Sequence, residues 1–176
     1  CLRLVGSEMC IRDSFNFSPS VDVNNNSKNP IIGNRSFGED PKNVYNKAKA
    51  YIQGHKDVGV YTSIKHFPGH GDTDKDSHKT LPVINGNMKR LNNVELFPFK
   101  KLIDDGLAES VMLAHLSVPA IDKNYPSSLS SKTVSKLLRE KYNFSGITVT
   151  DALDMKGVLQ DPNINVDLRA FEVGND

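Results

Sequence analysis

The sequence contains no tryptophan, only two cysteines among 176 residues, and almost no net charge, with 22 Lys+Arg against 21 Asp+Glu. A formal charge of +1 provides no basic field for a polyanion, so we expect no nucleic-acid partner. The sequence has no run of about 18 apolar residues, which excludes a membrane-spanning helix within it. Its length is that of one ordinary domain with its own hydrophobic core, and no disulfide framework is needed.

Both cysteines, Cys1 and Cys10, lie in the first fourteen residues. This segment does not begin with Met, and it lacks the long apolar core and the cleavage site of a signal peptide. It resembles translated sequencing-adapter sequence, so we expect residues 1–14 to be non-native and residues 15–176 to form the domain. Without residues 1–14 the chain has no cysteine that indicates a compartment, and cytoplasm and cell envelope are both compatible with it.

Four apolar runs rich in β-formers predict strands, and each run ends in polar residues. They are Phe15–Val23, Val58–Phe67, Ser110–Val118 and Gly146–Thr150. Between them, cap and stop signals predict helices over Asp40–Gly54 and Pro98–Gly106, and a third helix capped by Ser130. Such alternation of strand and helix implies parallel strands with right-handed crossovers.

Two α/β architectures fit this order: an open doubly wound sheet and part of a (β/α)8 TIM barrel. No GxGxxG phosphate loop follows any predicted strand, which disfavours a dinucleotide-binding version of the open sheet. In both architectures, ligands bind at the C-terminal ends of the strands. That rule selects five candidate site residues: Asp22, Lys65, His66, His115 and Asp151.

The densest group of ionisable side chains follows the second predicted strand, in Lys65–His78, which holds three of the five histidines of the chain. Loops of this composition at a strand end build sites more readily than cores. Asp72, Asp74 and Asp76 match the start of a calcium loop, but Ser77 stands at the sixth position, where such a loop has glycine. A transition-metal site would use three histidines: His66, His70 and His78.

The same segment also offers a carboxylate–imidazole pair, Asp76 and His78. A carboxylate beside an imidazole fixes its tautomer and raises its pKa, which makes the imidazole a usable proton donor near neutral pH. The two side chains are two residues apart on a loop and can reach each other. We therefore interpret this pair as a third alternative, a general acid/base.

Asp151 directly follows the last predicted strand. It either caps a short helical pattern, Ala152–Leu159, or points into the mouth of a barrel. A carboxylate facing a separate proton donor is what retaining glycoside hydrolysis requires. Sugars also need fixed hydrogen-bond donors, which Lys65, His66 and Arg35 could supply, unless Arg35 instead pairs with Glu39 or Asp40.

Four segments of the chain carry a resemblance to a known family. They are residues 17–23, residues 29–41, the KHFPGHG stretch Lys65–Gly71 with Asp76-Ser77-His78, and residues 149–153. On these segments the chain resembles glycoside hydrolase family 3, in its β-N-acetylglucosaminidase branch. The Asp-x-His element distinguishes that branch from the family's β-glucosidases, whose acid/base carboxylate comes from another domain.

The resemblance implies that Asp151 is the catalytic nucleophile and that His78, partnered by Asp76, is the general acid/base. It implies that the hydroxyls of the glycon sugar are held by Arg35, Lys65 and His66, with His115 lining the pocket. The implied substrate is a carbohydrate ending in β-linked N-acetylglucosamine, for example a peptidoglycan fragment. The resemblance implies no metal and no organic cofactor, and it indicates no oligomeric state.

Other functions within and beside this family remain open. Because a neutral imidazole does not repel an incoming anion, phosphate could replace water as the acceptor, which would make the protein a phosphorylase. A β-glucosidase-like member, a catalytically silent carbohydrate-binding relative and a metal-dependent hydrolase on the same barrel are further alternatives. The presence together of Asp76, His78 and Asp151 disfavours a silent relative.

The resemblance covers only part of the family's barrel. We expect about four of eight strand–helix units here, without the N-terminal strands, and residues 170–176 resemble the approach to the next strand. Half a barrel has two open sheet edges, and a complete barrel needs about 250 residues. We therefore expect residues 15–176 alone to have little activity.

Overall fold

A computed structural model describes residues 13–73, 80–156, 158 and 164–176. The described chain contains four strands: β1 (Phe15–Asn16), β2 (Tyr61–Phe67), β3 (Ser110–Leu113) and β4 (Ile147–Thr150). It contains four α-helices: α1 (Pro41–Lys56), α2 (Met88–Asn93), α3 (Phe97–Asp104) and α4 (Val166–Glu172). Two 3-10 turns, Gly33–Arg35 and Ser127–Leu129, and a π-helix, Lys132–Lys141, complete the described elements.

The four strands form one parallel sheet in the order β1-β2-β3-β4. Neighbours in the sheet are neighbours in sequence, and a helical crossover precedes each of β2, β3 and β4. This is the arrangement of consecutive units of a (β/α)8 barrel, and it confirms the α/β prediction with four strands. No helix in the described ranges is long and apolar enough to cross a bilayer.

The core lies between the sheet and the crossover helices. Its fully buried side chains include Ile64 and Val111 from the sheet, Ile52 from α1, Leu102 from α3 and Leu138 from the π-helix. At about 25 cal/mol per Å2 of buried apolar surface, such a layer supplies most of the driving force for folding. It also fixes the strand ends from which the site is built.

The strands are shorter than the apolar runs predicted, most clearly at β1. Residues 18–21 continue beside β2, where Ser63 N–H donates to Ser18 O at 3.1 Å and Val21 N–H to Lys65 O at 2.7 Å. Pro19 has no N–H with which to continue a regular ladder. The prediction placed the strand correctly but overestimated its regular length.

The structure confirms some of the predicted helix boundaries and corrects others. Asp40 Oδ1 caps α1 by accepting from Asn43 N–H at 2.7 Å, and Gly106, with φ of 67°, follows α3 as predicted. The predicted stop at Gly54 was wrong, because α1 continues to Lys56 and the chain turns at Gly59, with φ of 75°. Ser130 Oγ accepts from Thr133 N–H at 3.2 Å, but the N-cap of the third segment, which is π-helical, is Ser131, so the predicted cap lies one residue too early.

The C-terminal residues lie beside the free edge of β4. Asp176 N–H donates to Thr148 O at 2.9 Å, while Asp176 Oδ2 accepts from Thr148 N–H at 2.8 Å. The chain therefore begins to pair with β4 where a next strand would lie, in line with the interpretation of residues 170–176. Apolar side chains on this side stay open to solvent, with Phe171 72% exposed and Ile147 49% exposed.

Candidate active site

A cavity of about 160 Å3 opens at the C-terminal end of the sheet. It is lined by Ile31, Arg35, Lys65, His66, His70, Met112 and Asp151. Two larger hollows, of about 220 and 250 Å3, lie beside Lys56 and Glu109 at the opposite end and along the free edge of β4. The smaller cavity is the candidate site because two cations, two imidazoles and a carboxylate converge on it.

Asp22 does not line the cavity but lies beneath it and holds the residues that do. Its fully buried carboxylate accepts hydrogen bonds from Ser20 Oγ–H (2.6 Å), the His70 N–H (2.6 Å), the His66 N–H (3.2 Å) and His66 Nδ1 (2.8 Å). Burial on its own raises the pKa of Asp22, but its contacts with His66 and its hydrogen bonds from Ser20 and the His70 N–H hold it well below its ordinary value. Asp22 thus stays an acceptor that fixes the loop after β2.

His66 is held at both ring nitrogens. Nδ1 lies 2.8 Å from Asp22 Oδ2, and Nε2 lies 3.2 Å from Arg35 Nη2. A guanidinium can only donate, so Nε2 must accept and Nδ1 carries the proton. The sequence predicted His66 as a donor to sugar hydroxyls, whereas in this structure the ring joins Asp22 to Arg35.

Arg35 reaches the rim of the cavity from the 3-10 turn Gly33–Arg35. Asn29 builds this turn, since its Oδ1 accepts from the N–H groups of Ile31 and Ile32 at 2.9 and 2.8 Å. The Asn29 Nδ2 also donates to His70 O at 2.8 Å, which ties the turn to the loop after β2. Within the described residues Arg35 forms no ion pair with Glu39 or Asp40, so its contact is His66.

Lys65 is the second cation of the cavity and is half-buried near the end of β2. Partial burial and the positive charge of Arg35 lower the pKa of Lys65, while Asp151 and Asp22 act in the opposite direction. A Lys that is partly stripped of water beside an open cavity is suited to donating hydrogen bonds to a polar ligand.

Asp151 enters the cavity from the end of β4. Its N–H donates to Leu113 O at 2.8 Å, which continues the β3–β4 pairing, and its Oδ1 accepts from the Ala152 N–H at 2.9 Å. Residues 152–156 form turns, so the predicted helix Ala152–Leu159 is wrong over its described part. The alternative role of Asp151 as a helix cap is therefore wrong as well.

His115 lies behind Asp151 and is not among the described residues that line the cavity. It is fully buried, with Nδ1 2.7 Å from Ser128 Oγ and Nε2 2.9 Å from Ala152 O. Burial lowers the pKa of His115 and outweighs the opposite effects of the Ala152 carbonyl and the Asp151 charge. The structure thus brings Arg35, Lys65, His66 and Asp151 together and places His115 one layer deeper.

His70 is a cavity residue that the site prediction omitted. Its Nδ1 lies 2.7 Å from Thr73 Oγ1, and Thr73 Oγ1–H donates to His70 O at 3.1 Å. Burial lowers the pKa of His70. The KHFPGHG motif contained the signal, but only the fold shows that the chain turns back at Gly69 and brings His70 beside His66.

The predicted dyad, Asp76 and His78, lies outside the described residues, as do two members of the calcium pattern, Asp74 and Asp76. Asp72 is described and pairs with Arg90 Nη2, which also contacts Glu95 Oε1 at 3.0 Å. In the described ranges no three metal-ligating side chains come together. The calcium and histidine metal alternatives stay predictions, because each depends on residues in 74–79.

Comparisons with known proteins agree with this architecture. The family model described as "Glycosyl hydrolase family 3 N terminal domain" matches residues 3–173. Beta-hexosaminidase A of Pseudoalteromonas piscicida is 37% identical, with 92% of this chain and 29% of that protein aligned. The chain spans less than half the length of the curated relatives it matches.

Solved structures give the same result. A glycoside hydrolase family 3 β-N-acetylglucosaminidase from a Paenibacillus species superposes with a TM-score of 0.89 at 39% identity, covering 93% of this chain and 31% of that one. Beta-glucoside phosphorylase BglX superposes with a TM-score of 0.78 at 34% identity, covering 81% and 27%. The chain therefore belongs to glycosyl hydrolase family 3 and carries part of its TIM-barrel-like N-terminal domain.

Proposed function

We propose that the protein containing this chain is a retaining β-N-acetylhexosaminidase in which Asp151 is the nucleophile. The observation that carries the proposal is the position of the Asp151 carboxylate in one cavity with Lys65, Arg35 and His66. A single carboxylate facing fixed donors is the arrangement expected where an anionic nucleophile meets a polyhydroxylated ligand. The names of the relatives, beta-hexosaminidase and β-N-acetylglucosaminidase, support the choice of sugar.

Binding in this proposal relies on the cationic side of the cavity. Lys65 and Arg35 donate hydrogen bonds to hydroxyls of the non-reducing sugar, and the closed Asp22–His66–Arg35 chain holds the guanidinium in place before the ligand arrives. Preorganised donors cost little reorganisation when the charge distribution of the sugar changes during reaction. The small volume of the cavity fits recognition of one terminal sugar ring.

The chemistry proceeds in two displacements. The Asp151 carboxylate attacks the anomeric carbon, the bond to the leaving oxygen breaks, and His78 gives that oxygen a proton. Water then attacks the same carbon, returns a proton to His78 and releases the sugar from Asp151. The roles of His78 and its partner Asp76 rest on the resemblance of the Asp-Ser-His element.

The test uses the complete gene product and a chromogenic β-N-acetylglucosaminide. Asp151→Ala and Asp151→Asn should reduce kcat by at least about 10³-fold, since each removes the covalent route. Asp154→Asn is the matched control, because Asp154 is exposed on the same loop and is not among the cavity residues. Full turnover by Asp151→Ala would contradict the proposal, and a wild type that binds the sugar without turnover would favour the silent relative.

A second candidate, phosphorolysis, is favoured by the likeness to the beta-glucoside phosphorylase BglX. In this reaction phosphate replaces water in the second displacement, and the product is the sugar 1-phosphate. Incubation with and without inorganic phosphate, followed by detection of N-acetylglucosamine 1-phosphate or glucose 1-phosphate, separates the two candidates. Turnover that survives a chelator would exclude the metal-dependent hydrolase.

A further inference from the structure

The buried histidine behind the nucleophile has hydrogen-bond partners on two different elements. His115 follows β3, and its ring lies between Ser128, in the 3-10 turn Ser127–Leu129, and Ala152, in the loop after β4. Both His115 and Ser128 have no exposed surface. The ring therefore connects two segments that are not paired as strands, directly behind the candidate active site.

The proton of this ring can be placed from its partners. A carbonyl oxygen only accepts, so the 2.9 Å contact to Ala152 O requires a proton on Nε2. Burial favours the neutral ring, which leaves Nδ1 as an acceptor for the Ser128 hydroxyl at 2.7 Å. Ser128 is itself fixed, because its carbonyl accepts from Asn175 Nδ2 at 3.0 Å.

Ala152 forms hydrogen bonds with both His115 and Asp151, the proposed nucleophile. The Ala152 N–H donates to Asp151 Oδ1 at 2.9 Å, and the Ala152 carbonyl accepts from His115. The Asp151 N–H is held by Leu113 O at 2.8 Å. Residue 151 is thus anchored through its own N–H, and residue 152 through its carbonyl, so the His115 contact restricts rotation of the segment that directs Oδ1.

We propose that His115 is a positioning residue for Asp151, which acts by holding the Ala152 backbone so that the carboxylate keeps its orientation in the cavity. This inference rests on the proposed function of Asp151 as nucleophile. It differs from the contact with the sugar that the sequence resemblance implied for His115. A displacement of about 1 Å at a reacting group is enough to cost about 10²-fold in rate.

The variants are chosen to separate positioning from packing. His115→Gln retains an N–H donor that can reach Ala152 O, while His115→Phe retains a buried ring but no donor. Ser128→Ala removes the partner that orients the imidazole. His55→Phe is the matched control, because His55 is equally buried and hydrogen-bonded but lies at the end of α1, near Asn16 and Tyr51.

Hydrogen exchange gives a readout that needs no substrate. In the complete gene product, His115→Phe should speed amide exchange in residues 151–156 and leave β4 unchanged, whereas His115→Gln should exchange nearly as the wild type does. His55→Phe should leave residues 151–156 unchanged. Unchanged exchange there in His115→Phe would overturn the inference, whatever reaction the protein catalyses.

Kinetics with the chromogenic glycoside complete the test. We expect His115→Phe to lower kcat by about 10- to 100-fold with KM nearly constant, Ser128→Ala to lower it less, and His115→Gln to recover most of it. A rise in KM at constant kcat would instead make His115 a sugar contact. Faster exchange with a normal kcat would show that His115 holds the loop but does not affect catalysis. An inactive wild type would refute the proposed function, while the exchange result would still decide whether His115 holds the loop.

Discussion

Nδ1 of His66 lies 2.8 Å from Oδ2 of Asp22, and both side chains are buried, with His66 lining the cavity and Asp22 beneath it. Asp22 also holds the backbone of the loop that follows β2. One carboxylate therefore fixes the ring of His66, the turn at His70 and, through the ring, the guanidinium of Arg35. Substitution of this carboxylate should affect stability and binding together.

Asp22→Asn should destabilise the protein in a pH-dependent manner. The pKa of Asp22 in the folded protein lies below its ordinary value of about 3.9, so its contribution is fully present above that value and declines as pH falls toward the folded pKa. The difference in Tm between wild type and Asp22→Asn should be large at pH 7 and should shrink as the pH is lowered below about 4. A difference in Tm that is the same at pH 7 and below about pH 4 would contradict this account of Asp22.

The His66 ring should carry a proton on Nδ1 and use Nε2 as an acceptor. Arg35 Nη2 can only donate, so a proton on Nε2 would place two donors 3.2 Å apart. Long-range ¹H–¹⁵N correlation spectra of protein labelled at histidine measure which nitrogen is protonated. Arg35→Met should release Nε2 and change its shift, whereas a wild-type Nε2 that already carries a proton would refute the assignment.

Lys65→Met should weaken binding of the sugar. It removes a charged donor from the cavity, and hydrogen bonds to charged groups contribute about 1.5–3 kcal/mol, which corresponds to roughly a 10- to 150-fold rise in KM. Lys100→Met is the control, because Lys100 is exposed on α3 and pairs with Asp104 on the same helix. An unchanged KM in Lys65→Met would remove Lys65 from the binding site.

Gly71→Ala should destabilise the loop that carries the cavity histidines. A Cβ at Gly71 would overlap the backbone carbonyl of Val23, which cannot move aside as a flexible side chain would. Overpacking of this kind costs about 1–3 kcal/mol in free energy of unfolding, measurable by urea denaturation. Gly86→Ala is the matched control, since the nearest atoms to its Cβ would belong to the Arg90 side chain, with Cδ at 3.4 Å.

The strand-end rule predicted much of the site from the sequence. It selected Lys65, His66 and Asp151, and the parallel sheet brings these three residues to one cavity because parallel strands end at the same edge. Arg35 reaches the cavity from a loop. It was indicated by residues 29–41, which resemble the family, and not by the spacing of apolar residues.

Other features depended on tertiary contacts that no local pattern encodes. His115 and Asp22 also follow strands, but their side chains point into protein and serve as supports. α2 and α4 are short helices of 6 and 7 residues, too short for a clear apolar period, and both were missed. His70 enters the cavity only because the chain reverses at Gly69, whose φ is 123°.

The central claim, that Asp151 is a covalent nucleophile, is tested most directly by trapping the glycosyl-enzyme. The complete gene product is treated with a fluorinated N-acetylglucosamine donor that forms the intermediate faster than it hydrolyses, then digested and analysed by mass spectrometry. The account predicts one added sugar on the peptide containing Asp151 and none in Asp151→Asn. Adduct on another residue, or steady turnover of the donor with no adduct at any time, would contradict it.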